Sequence, residues 1–244
     1  MLLKKNILPD LTDLHCHILP GIDDGSKSVE MSVQMVQKEY EDGVRRIALT
    51  SHFDGNSGNL DAFLIARKDA FESLKEALQQ SDFPMDEIKF KLGAEVMFSP
   101  KLLEYDVSPL CLEGTKVLLI ELPTMYKPYY LTETMYSLLG RGYQLLLAHV
   151  ERYDYLMNDL DLLTEWVENG ILVQANSRSF IEKTEYRKQL LKMIKQGMIH
   201  VIASDAHNME HRKPTLLEGH EVVSKKCKRT EVEKMIVTAK ELFE

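Results

Sequence analysis

The sequence of 244 residues lacks the features of secreted, membrane-spanning and multidomain proteins. It has only three cysteines, Cys16, Cys111 and Cys227, and no apolar run approaching the roughly 20 residues that cross a bilayer. The N-terminal stretch has no apolar core long enough for a signal peptide. We therefore expect a soluble protein of the reducing cytoplasm, with no membrane insertion.

No linker rich in proline, glycine or serine divides the chain, and no repeat recurs at a fixed period. We expect one domain over residues 1–244, although the length would also suit two small ones. The formal charge is −8, from 30 Lys and Arg against 38 Asp and Glu. This acidic balance argues against nucleic acid as a partner, but it does not exclude a phosphorylated substrate.

Several common catalytic motifs are also missing. The glycine pattern contains neither a Walker loop nor a dinucleotide-binding fingerprint. A cysteine-dependent phosphatase would need an arginine six positions after its nucleophile, and those positions hold Ile22, Val117 and Glu233. Hydrolysis through a cysteine thiolate is therefore excluded by the pattern.

Histidines and carboxylates are present instead, beginning at Asp13-Leu14-His15-Cys16-His17 and continuing to Asp23-Asp24-Gly25. Side chains alternate along an extended segment, so His15 and His17 point to the same side and can reach one cation. The turn at Pro20-Gly21 then brings two aspartates as oxygen ligands. The His-x-His pattern alone is a weak signal, because exposed loop histidines would fit it as well.

The rest of the chain alternates between apolar strands and amphipathic helices. After the short strand at Leu11 and Leu14, strands are predicted at residues 46–51, 89–94, 117–120, 144–148, 171–175 and 200–203. Helices are predicted from Ser28 to Gly43, from about 60 to 81, from about 131 to 141, up to Gly170, up to Gly197, and in the remainder to 244. Seven strands separated by helices favour a parallel α/β fold, and a closed or nearly closed β/α barrel is the expected architecture.

Polar side chains fall just past the predicted strand ends. They are His15 and His17, His52, Glu95, Glu121, His149, Asn176, and Asp205 with His207. In a β/α barrel these ends share one rim, where the active site lies. Each residue alone fits a loop, a cap or a surface turn, but together they predict one shared site.

The chemistry of this set indicates a metal cluster. Nitrogen and oxygen ligands without thiolates suit Mn²⁺, Fe²⁺ or Zn²⁺, and the set is too large for one ion. Two or three bridged ions would generate hydroxide near neutral pH and stabilise a leaving group, which predicts hydrolysis. Three divalent ions among Asp24, Glu95, Glu121 and Asp205 would leave a positive pocket that attracts a phosphoryl group.

Two arginines lie a few residues beyond histidines of the set. The guanidinium groups of Arg152 and Arg212 could donate to phosphate oxygens, so both are candidate catalytic and substrate-binding residues. Ion pairing with Glu151 or Glu210 is the alternative for these two side chains.

These motifs resemble the polymerase and histidinol phosphatase (PHP) superfamily, and within it the metal-dependent bacterial protein-tyrosine phosphatases of capsule and exopolysaccharide clusters. The most specific part is Asp13-Leu-His-Cys-His-Ile-Leu-Pro-Gly-Ile-Asp-Asp-Gly25. It is supported by Thr50-Ser-His52, Gly93-Ala-Glu95, His149-Val-Glu-Arg152 and Ala203-Ser-Asp-Ala-His207. The resemblance covers nearly the full length.

The resemblance implies a distorted (β/α)7 barrel with a centre of three ions, often manganese. The first ion would be held by His15, His17, Glu95 and Asp205. A second would be held by Glu121 and His149, with Glu95 as the bridge between the two. The third would be held by Asp24, His52 and His207. His52 is also a candidate catalytic residue, and the choice between Asp23 and Asp24 as the ligand stays open.

Two motifs depart from the family pattern. Ser51 and Phe53 stand where the family often has proline and a second histidine, and Val150 stands where it often has proline. Neither change removes an expected ligand, but both affect the expected loop shape beside the substrate.

The resemblance implies hydrolysis of phosphotyrosine on a protein, with a tyrosine kinase that controls polysaccharide export as the expected partner. A small phosphomonoester such as histidinol phosphate is the alternative substrate. A non-catalytic, metal-stabilised binding module is a third reading, and the completeness of the ligand set argues against it. The physiological metal and the oligomeric state stay open.

Overall fold

The computed structural model describes residues 10–244, in which strands and helices alternate. The strands are β1 Leu11–Cys16, β2 Val44–Leu49, β3 His52–Asp54, β4 Lys89–Leu92, β5 Glu95–Met97, β6 Val117–Glu121, β7 Gln144–Leu147, β8 Leu172–Asn176 and β9 Val201–Ala203. The α-helices are α1 Val29–Glu41, α2 Leu60–Gln80, α3 Leu131–Gly140, α4 Asp154–Met157, α5 Leu160–Glu168, α6 Arg178–Ile181, α7 Arg187–Lys195, α8 Leu216–Ser224 and α9 Arg229–Phe243.

Every strand pairing is parallel, which confirms the predicted α/β class. One sheet has the order β1-β2-β4 and the other has the order β3-β5-β6-β7-β8-β9. The two sheets meet where Cys16 forms an isolated parallel bridge with Ala206, and the His17 N–H donates to the Ala206 carbonyl (2.8 Å). Within residues 10–244 the strands thus form two sheets, neither of which closes on itself.

Two of the seven predicted strands, 46–51 and 89–94, end two residues earlier than predicted, and each is followed by a separate short strand, β3 after β2 and β5 after β4. At the first break the Thr50 hydroxyl accepts a hydrogen bond from the Cys16 N–H in β1 (3.0 Å). At the second break a Cβ on Gly93 would lie 2.6 Å from Leu112 Cδ2, so a larger residue there would force the Leu112 side chain to shift. Both breaks depend on contacts between segments that are distant in the sequence.

The breaks correct the expected position of two site residues. His52 and Glu95 open new strands, β3 and β5, instead of following the ends of the preceding ones. They are paired across the sheet, so the new strands still bring them together.

The core lies between the sheets and the helices that cover them. All five residues of β6 are buried, and Trp166 of α5 and Phe180 of α6 are fully buried. Burying one such side chain contributes about 2 kcal/mol. The predicted Ser28 cap of α1 is present, because the Ser28 hydroxyl accepts from the Met31 N–H (3.3 Å). In residues 10–244 no helix has both the length and the apolar character needed to cross a membrane.

Candidate metal centre

Histidine, aspartate and glutamate side chains from several strand ends converge into three overlapping groups. We call His15, His17, Glu95 and Asp205 the inner group. We call Asp24, His52 and His207, which adjoin His17, the outer group. The third, the middle group, contains His52, Glu95 and Glu121. In each group the candidate ligand atoms lie within 4.8 Å of one another, close enough to hold a metal ion.

The inner group has the dimensions of a metal site. His15 Nε2 and His17 Nε2 are 3.2 Å apart, and each lies 3.1 Å from Glu95 Oε2. Asp205 Oδ1 is 3.5 Å from His15 Nε2 and 3.6 Å from His17 Nε2. Four tetrahedral ligands at about 2.0–2.2 Å from an ion would be about 3.3–3.6 Å apart. The four atoms therefore fit around one divalent ion with small adjustments.

The burial of the oxygens in the inner group also favours a cation. Within residues 10–244, Glu95 Oε2 and Asp205 Oδ1 are buried without a hydrogen-bond partner, and so is His207 Nε2 beside them. A buried carboxylate oxygen is strongly unfavourable unless it is paired or bound to metal. A divalent ion between these atoms would remove that penalty, so the residues present fit the metal that their chemistry implies.

Hydrogen bonds behind the inner histidines fix their orientation. His15 Nδ1 lies 3.2 Å from Gln174 Oε1, and His17 Nδ1 lies 2.8 Å from Asp23 Oδ2. With the proton on each Nδ1, these contacts leave both Nε2 lone pairs free for a metal. Asp23 also accepts from the His52 N–H (2.9 Å). Asp23 thus lies behind His17 as a supporting residue, while Asp24 faces His52 and His207.

The outer group lies closer to solvent. Asp24 Oδ1 is 3.3 Å from His207 Nε2 and 3.4 Å from His52 Nε2, and the Asp24 side chain is 63% exposed. His207 Nδ1 lies 3.0 Å from the Asp205 carbonyl, to which it can donate. Burial and the neighbouring charge of His17 lower the pKa of His207 to about 3, so its imidazole is neutral and can bind an ion.

The middle group and the adjacent His149 bring two histidines against two carboxylates. His52 Nδ1 lies 3.1 Å from both Glu95 Oε2 and Glu121 Oε1. His149 Nε2 lies 2.6 Å from Glu95 Oε1 and 3.7 Å from Glu121 Oε2. His149 Nδ1 is supported by the Tyr153 hydroxyl at 3.1 Å. The residues expected around a second ion therefore come together, with His52 on the same carboxylates.

Backbone strain is concentrated at this site. Of the three described non-glycine residues with positive φ, two are His149 (φ 28°) and Asp205 (φ 52°). The His149 N–H donates to Gln174 Oε1 (2.6 Å), and the Asp205 N–H donates to the His15 carbonyl (2.8 Å). Such conformations are unfavourable and persist where the surroundings impose them, as at functional sites.

The electrostatic field of the site favours positive charge. Burial opposes protonation of His17, yet the neighbouring carboxylates of Asp23 and Glu95 raise its pKa to about 10, so this position favours a positive charge, either a proton or a metal ion that replaces it. Burial acts against ionised Glu95 as well, but the charges of His15 and His149 hold the pKa of its carboxyl well below the usual range. The carboxylates therefore stay ionised and attract a cation to the inner group.

The model of the family described as capsular polysaccharide synthesis, CpsB/CapC, matches residues 11–243. The chain belongs to the CpsB/CapC family. The tyrosine-protein phosphatase YwqE of Bacillus subtilis is 32% identical over 207 residues, covering 83% of this chain and 79% of that protein. The tyrosine-protein phosphatase CpsB of Streptococcus pneumoniae is 28% identical over 236 residues, covering 88% of this chain and 90% of that protein.

Solved structures extend this comparison to the fold. One from the pair YwqE of Bacillus subtilis and CpsB of Streptococcus pneumoniae, described as metal-dependent tyrosine phosphatases, aligns with a TM-score of 0.85 and 28% identity. It covers 96% of this chain and 94% of the other. The phosphotriesterase homology protein of Escherichia coli aligns with a TM-score of 0.59 at 12% identity, covering 98% of this chain and 100% of the other. The second likeness concerns the fold alone.

The two candidate arginines of this CpsB/CapC chain lie at the edge of the site. Exposed Arg152 places Nη1 3.4 Å from His149 Nε2. Arg212 Nη2 donates to Asp205 Oδ2 (2.7 Å), and its Nη1 is 3.8 Å from Asp24 Oδ2. Within residues 10–244 neither arginine pairs with the glutamates considered from the sequence, so both side chains are directed at the candidate ligands.

Phe53 and Val150, which depart from the pattern expected from the sequence resemblance, face the core. Phe53 is 3% exposed and packs against Phe63, with ring centroids 5.2 Å apart. Val150 is fully buried. Because side chains alternate along β3, His52 faces the site while Phe53 points away from it. Neither substitution removes a side chain from the surface that the candidate ligands share.

Gln174, which supports the site together with the predicted Asn176, was not predicted from the sequence. Gln174 Nε2 donates to Asn176 Oδ1 (2.8 Å), and Asn176 Nδ2 donates to Asp205 Oδ2 (2.7 Å). Gln174 thereby connects His15 and the His149 backbone with Asp205. The available signal was a single amide inside the apolar strand β8, a position where an uncharged polar side chain needs a buried partner.

Proposed function

We propose that this chain is a metal-dependent phosphatase that hydrolyses phosphotyrosine in protein substrates. The inner group carries the proposal, because buried and unpartnered oxygens of Glu95 and Asp205 face the Nε2 atoms of His15 and His17. Membership of a family whose relatives are named tyrosine-protein phosphatases supplies the substrate class.

We infer a cluster of three divalent ions, with manganese expected and iron or zinc as alternatives. The inner group would hold one ion, and Glu95 would bridge to a second ion held by Glu121 and His149. The third would be held by the outer group, Asp24, His52 and His207. Ions bound there supply Lewis acidity toward the phosphoryl group and lower the pKa of bound water.

The arginines and His52 act on the substrate side of this cluster. Arg152 and Arg212 can donate to the non-bridging phosphate oxygens, whose charge rearranges in the transition state. His52 faces the middle group through Nδ1 and Asp24 through Nε2, so it can bind an ion through one nitrogen and hold a proton on the other.

A cysteine nucleophile is incompatible with the surroundings of the three thiols. Cys16 is fully buried, its Sγ donates to the Ala48 carbonyl (3.2 Å), and burial raises its pKa well above the usual value. Burial also raises the pKa of Cys111 to about 12, and it raises that of Cys227. The thiolate that such chemistry needs is disfavoured at every position.

The proposal extends to the fold, the substrate protein and the cellular location. We infer a distorted (β/α)7 barrel forming one domain over residues 1–244, supported by the strand order and by the Cys16–Ala206 bridge between the two sheets. The proposed protein substrate is a bacterial tyrosine kinase that controls capsule or exopolysaccharide synthesis. A cytoplasmic location is supported by the three free cysteines.

The test combines metal removal with a choice of substrates. Purified protein would be stripped with a chelator, reloaded with Mn²⁺, Fe²⁺ or Zn²⁺, and assayed on a phosphotyrosine peptide and on histidinol phosphate. We expect no turnover after stripping, recovery that is best with Mn²⁺, and preference for the peptide. Preference for histidinol phosphate would identify a small-molecule phosphatase. Full activity at zero metal content, or no activity on either ester when loaded, would overturn the proposal.

A further inference from the structure

An exposed apolar surface lies beside the candidate metal centre. Six large apolar side chains are exposed in residues 10–244, and four of them lie in the loop 122–130. Those four are Met125, Tyr126, Tyr129 and Tyr130, of which Met125 is 90% exposed. We call residues 122–130 the aromatic loop. Clustered exposed apolar residues of this kind mark binding surfaces more often than scattered ones do.

The aromatic loop forms one wall of a groove of about 580 Å³. The opposite wall is the segment 97–100, and Asn56 lies at one end. The lining side chains are uncharged: Asn56, Met97, Phe98, Ser99, Pro100, Pro123, Thr124, Met125, Tyr126 and Pro128. The volume lies within the range of pockets that hold drug-sized ligands, and it exceeds that of one side chain.

The groove begins where the middle group ends. Its three segments follow His52, Glu95 and Glu121 along the neighbouring strands β3, β5 and β6. Met97 is paired with Glu121, and the Phe98 N–H donates to the Glu121 carbonyl (2.8 Å). Two residues of strand span about 7 Å, so the apolar walls start one tyrosine side chain's length from the carboxylates.

We propose that this groove binds the polypeptide segment that flanks the phosphotyrosine, and that it favours apolar or aromatic residues beside the phosphorylated side chain. The inference rests on the proposed function, and it adds a determinant of substrate choice. A small phosphomonoester at the metal centre would leave the groove empty. An extended peptide would cover the side chains of Met125 and Tyr126, while its phosphoryl group reached the candidate ligands.

The composition of the walls supports a peptide as occupant. Pro100, Pro123 and Pro128 restrict the backbone on both sides, so little conformational entropy is lost when a ligand binds. Tyrosine offers a large contact area with few rotatable bonds and a hydroxyl for backbone groups. In the described part of the chain no charged side chain lines the groove, although exposed Lys127 lies between Tyr126 and Pro128 in the aromatic loop. The lining itself therefore favours uncharged residues beside the phosphotyrosine.

The test compares esters that differ only in what lies beyond the phosphorylated ring. The variant Met125→Ala/Tyr126→Ala would be assayed on p-nitrophenyl phosphate, on a phosphotyrosine peptide with flanking leucine and phenylalanine, and on one with flanking glycine and serine. We expect KM for the apolar peptide to rise about 10- to 100-fold, with kcat unchanged. Kinetics on p-nitrophenyl phosphate should stay within about twofold, since its interactions end at the metal centre.

Controls separate the groove from the chemistry. Val237→Ala removes an exposed apolar side chain on α9 and should change nothing. Met97→Ala alters the opposite wall and should repeat the effect of the loop variant. Fluorescence anisotropy with a labelled apolar peptide carrying a phosphonate in place of the phosphate would give Kd without turnover.

Two outcomes would overturn the proposed role of the groove. An unchanged Kd and KM for the apolar peptide in the loop variant would overturn the groove assignment. An equal loss on p-nitrophenyl phosphate would also overturn it, because the loop would then serve the metal centre. If the metal-loaded wild-type protein hydrolysed none of the esters, the proposed function would fail. The groove assignment would still be tested separately, by comparing the Kd of the apolar peptide for the loop variant with its Kd for the wild type.

Discussion

The inner and outer groups contain the same kinds of side chain but are held differently. In the inner group His15 and His17 are fully buried and are each supported from behind, by Gln174 and Asp23. In the outer group the Asp24 side chain is 63% exposed, and that of His52 is 34% exposed. The fold thus fixes the inner geometry in advance, whereas the outer geometry depends on side chains that solvent can reach.

This difference indicates that the inner and outer groups bind their ions with different affinities and serve different functions. A site held by the protein before the ion arrives loses little entropy on binding, so the inner group should hold its ion more tightly than the outer group. The outer group is the more exposed of the two and lies next to Arg212, at the edge of the site. An ion there can take part in substrate binding as well as in hydrolysis.

The largest expected effect is the loss of an inner ligand. His15→Ala or Asp205→Ala should lower kcat by several orders of magnitude, because each removes a ligand that buried neighbours cannot replace. Asp24→Ala should lower it by only about 10- to 100-fold, with partial recovery in excess Mn²⁺. Steady-state kinetics with metal analysis would measure both. Equal losses for inner and outer variants would remove the distinction between the groups.

The next effect concerns the arginines at the edge of the site. Arg152→Ala should lower kcat/KM by about 100-fold while metal content stays at the wild-type level, since the side chain is expected to contact phosphate. Arg212→Ala should do the same, with some loss of outer metal because Arg212 also contacts Asp205 and Asp24.

Arg229→Ala is the matched control for both, because Arg229 is exposed on α9 and pairs with Glu233, away from the candidate ligands. If the Arg152 and Arg212 variants kept wild-type kcat/KM and wild-type metal content, the two arginines would be structural.

A smaller effect is expected when the hydrogen bonds with Gln174 that orient the ligands of the inner group are removed. Gln174→Leu removes the acceptor of His15 Nδ1 and of the His149 N–H. We expect the affinity for the inner ion to fall about 10- to 100-fold, measured by competition with a chromogenic chelator. Gln144→Leu, at an exposed position in β7, should have no effect. An unchanged affinity in Gln174→Leu would mean that burial alone holds the histidines.

The smallest effect concerns His220, a buried histidine with no carboxylate to raise its pKa, in contrast to His17. Burial alone lowers the pKa of His220 to about 4 from 6.5, while carboxylates hold that of His17 at about 10. Below pH 6.5 the unfolded chain binds a proton at His220, whereas the folded protein keeps this imidazole neutral down to about pH 4. Protonation therefore favours the unfolded state in this range, and the free energy of unfolding falls as the pH is lowered from 6.5 toward 4.

The measurement is urea unfolding of wild type and His220→Gln at pH 7 and pH 5. Between these pH values the wild type should lose about 2 kcal/mol more of its free energy of unfolding than the variant. Equal losses in the two proteins would show that His220 is not held neutral by burial.

The sequence predicted the strand ends well because apolar runs such as 117–120 and 144–148 are local signals. It could not predict the breaks before His52 and Glu95, which depend on contacts of Thr50 and Gly93 with distant segments. The sequence also could not distinguish the roles of the adjacent residues Asp23 and Asp24. Only the folded loop shows that Asp23 supports His17 while Asp24 faces the outer histidines.

The support behind the ligands was missed for a related reason. Gln174 lies inside an apolar strand, and its partners are 25 and 159 residues away along the chain. No local pattern encodes such a contact. A lone buried amide in a strand is a signal only once the fold shows what lies opposite.

Anomalous diffraction from crystals of the manganese-loaded protein tests the inner group most directly. We predict the strongest peak between His15 Nε2, His17 Nε2, Glu95 Oε2 and Asp205 Oδ1, with lower occupancy at the outer group as the metal concentration is reduced. A fully loaded, active protein with no peak inside the inner group, or with a peak there that is lost before the outer one, would contradict the assignment.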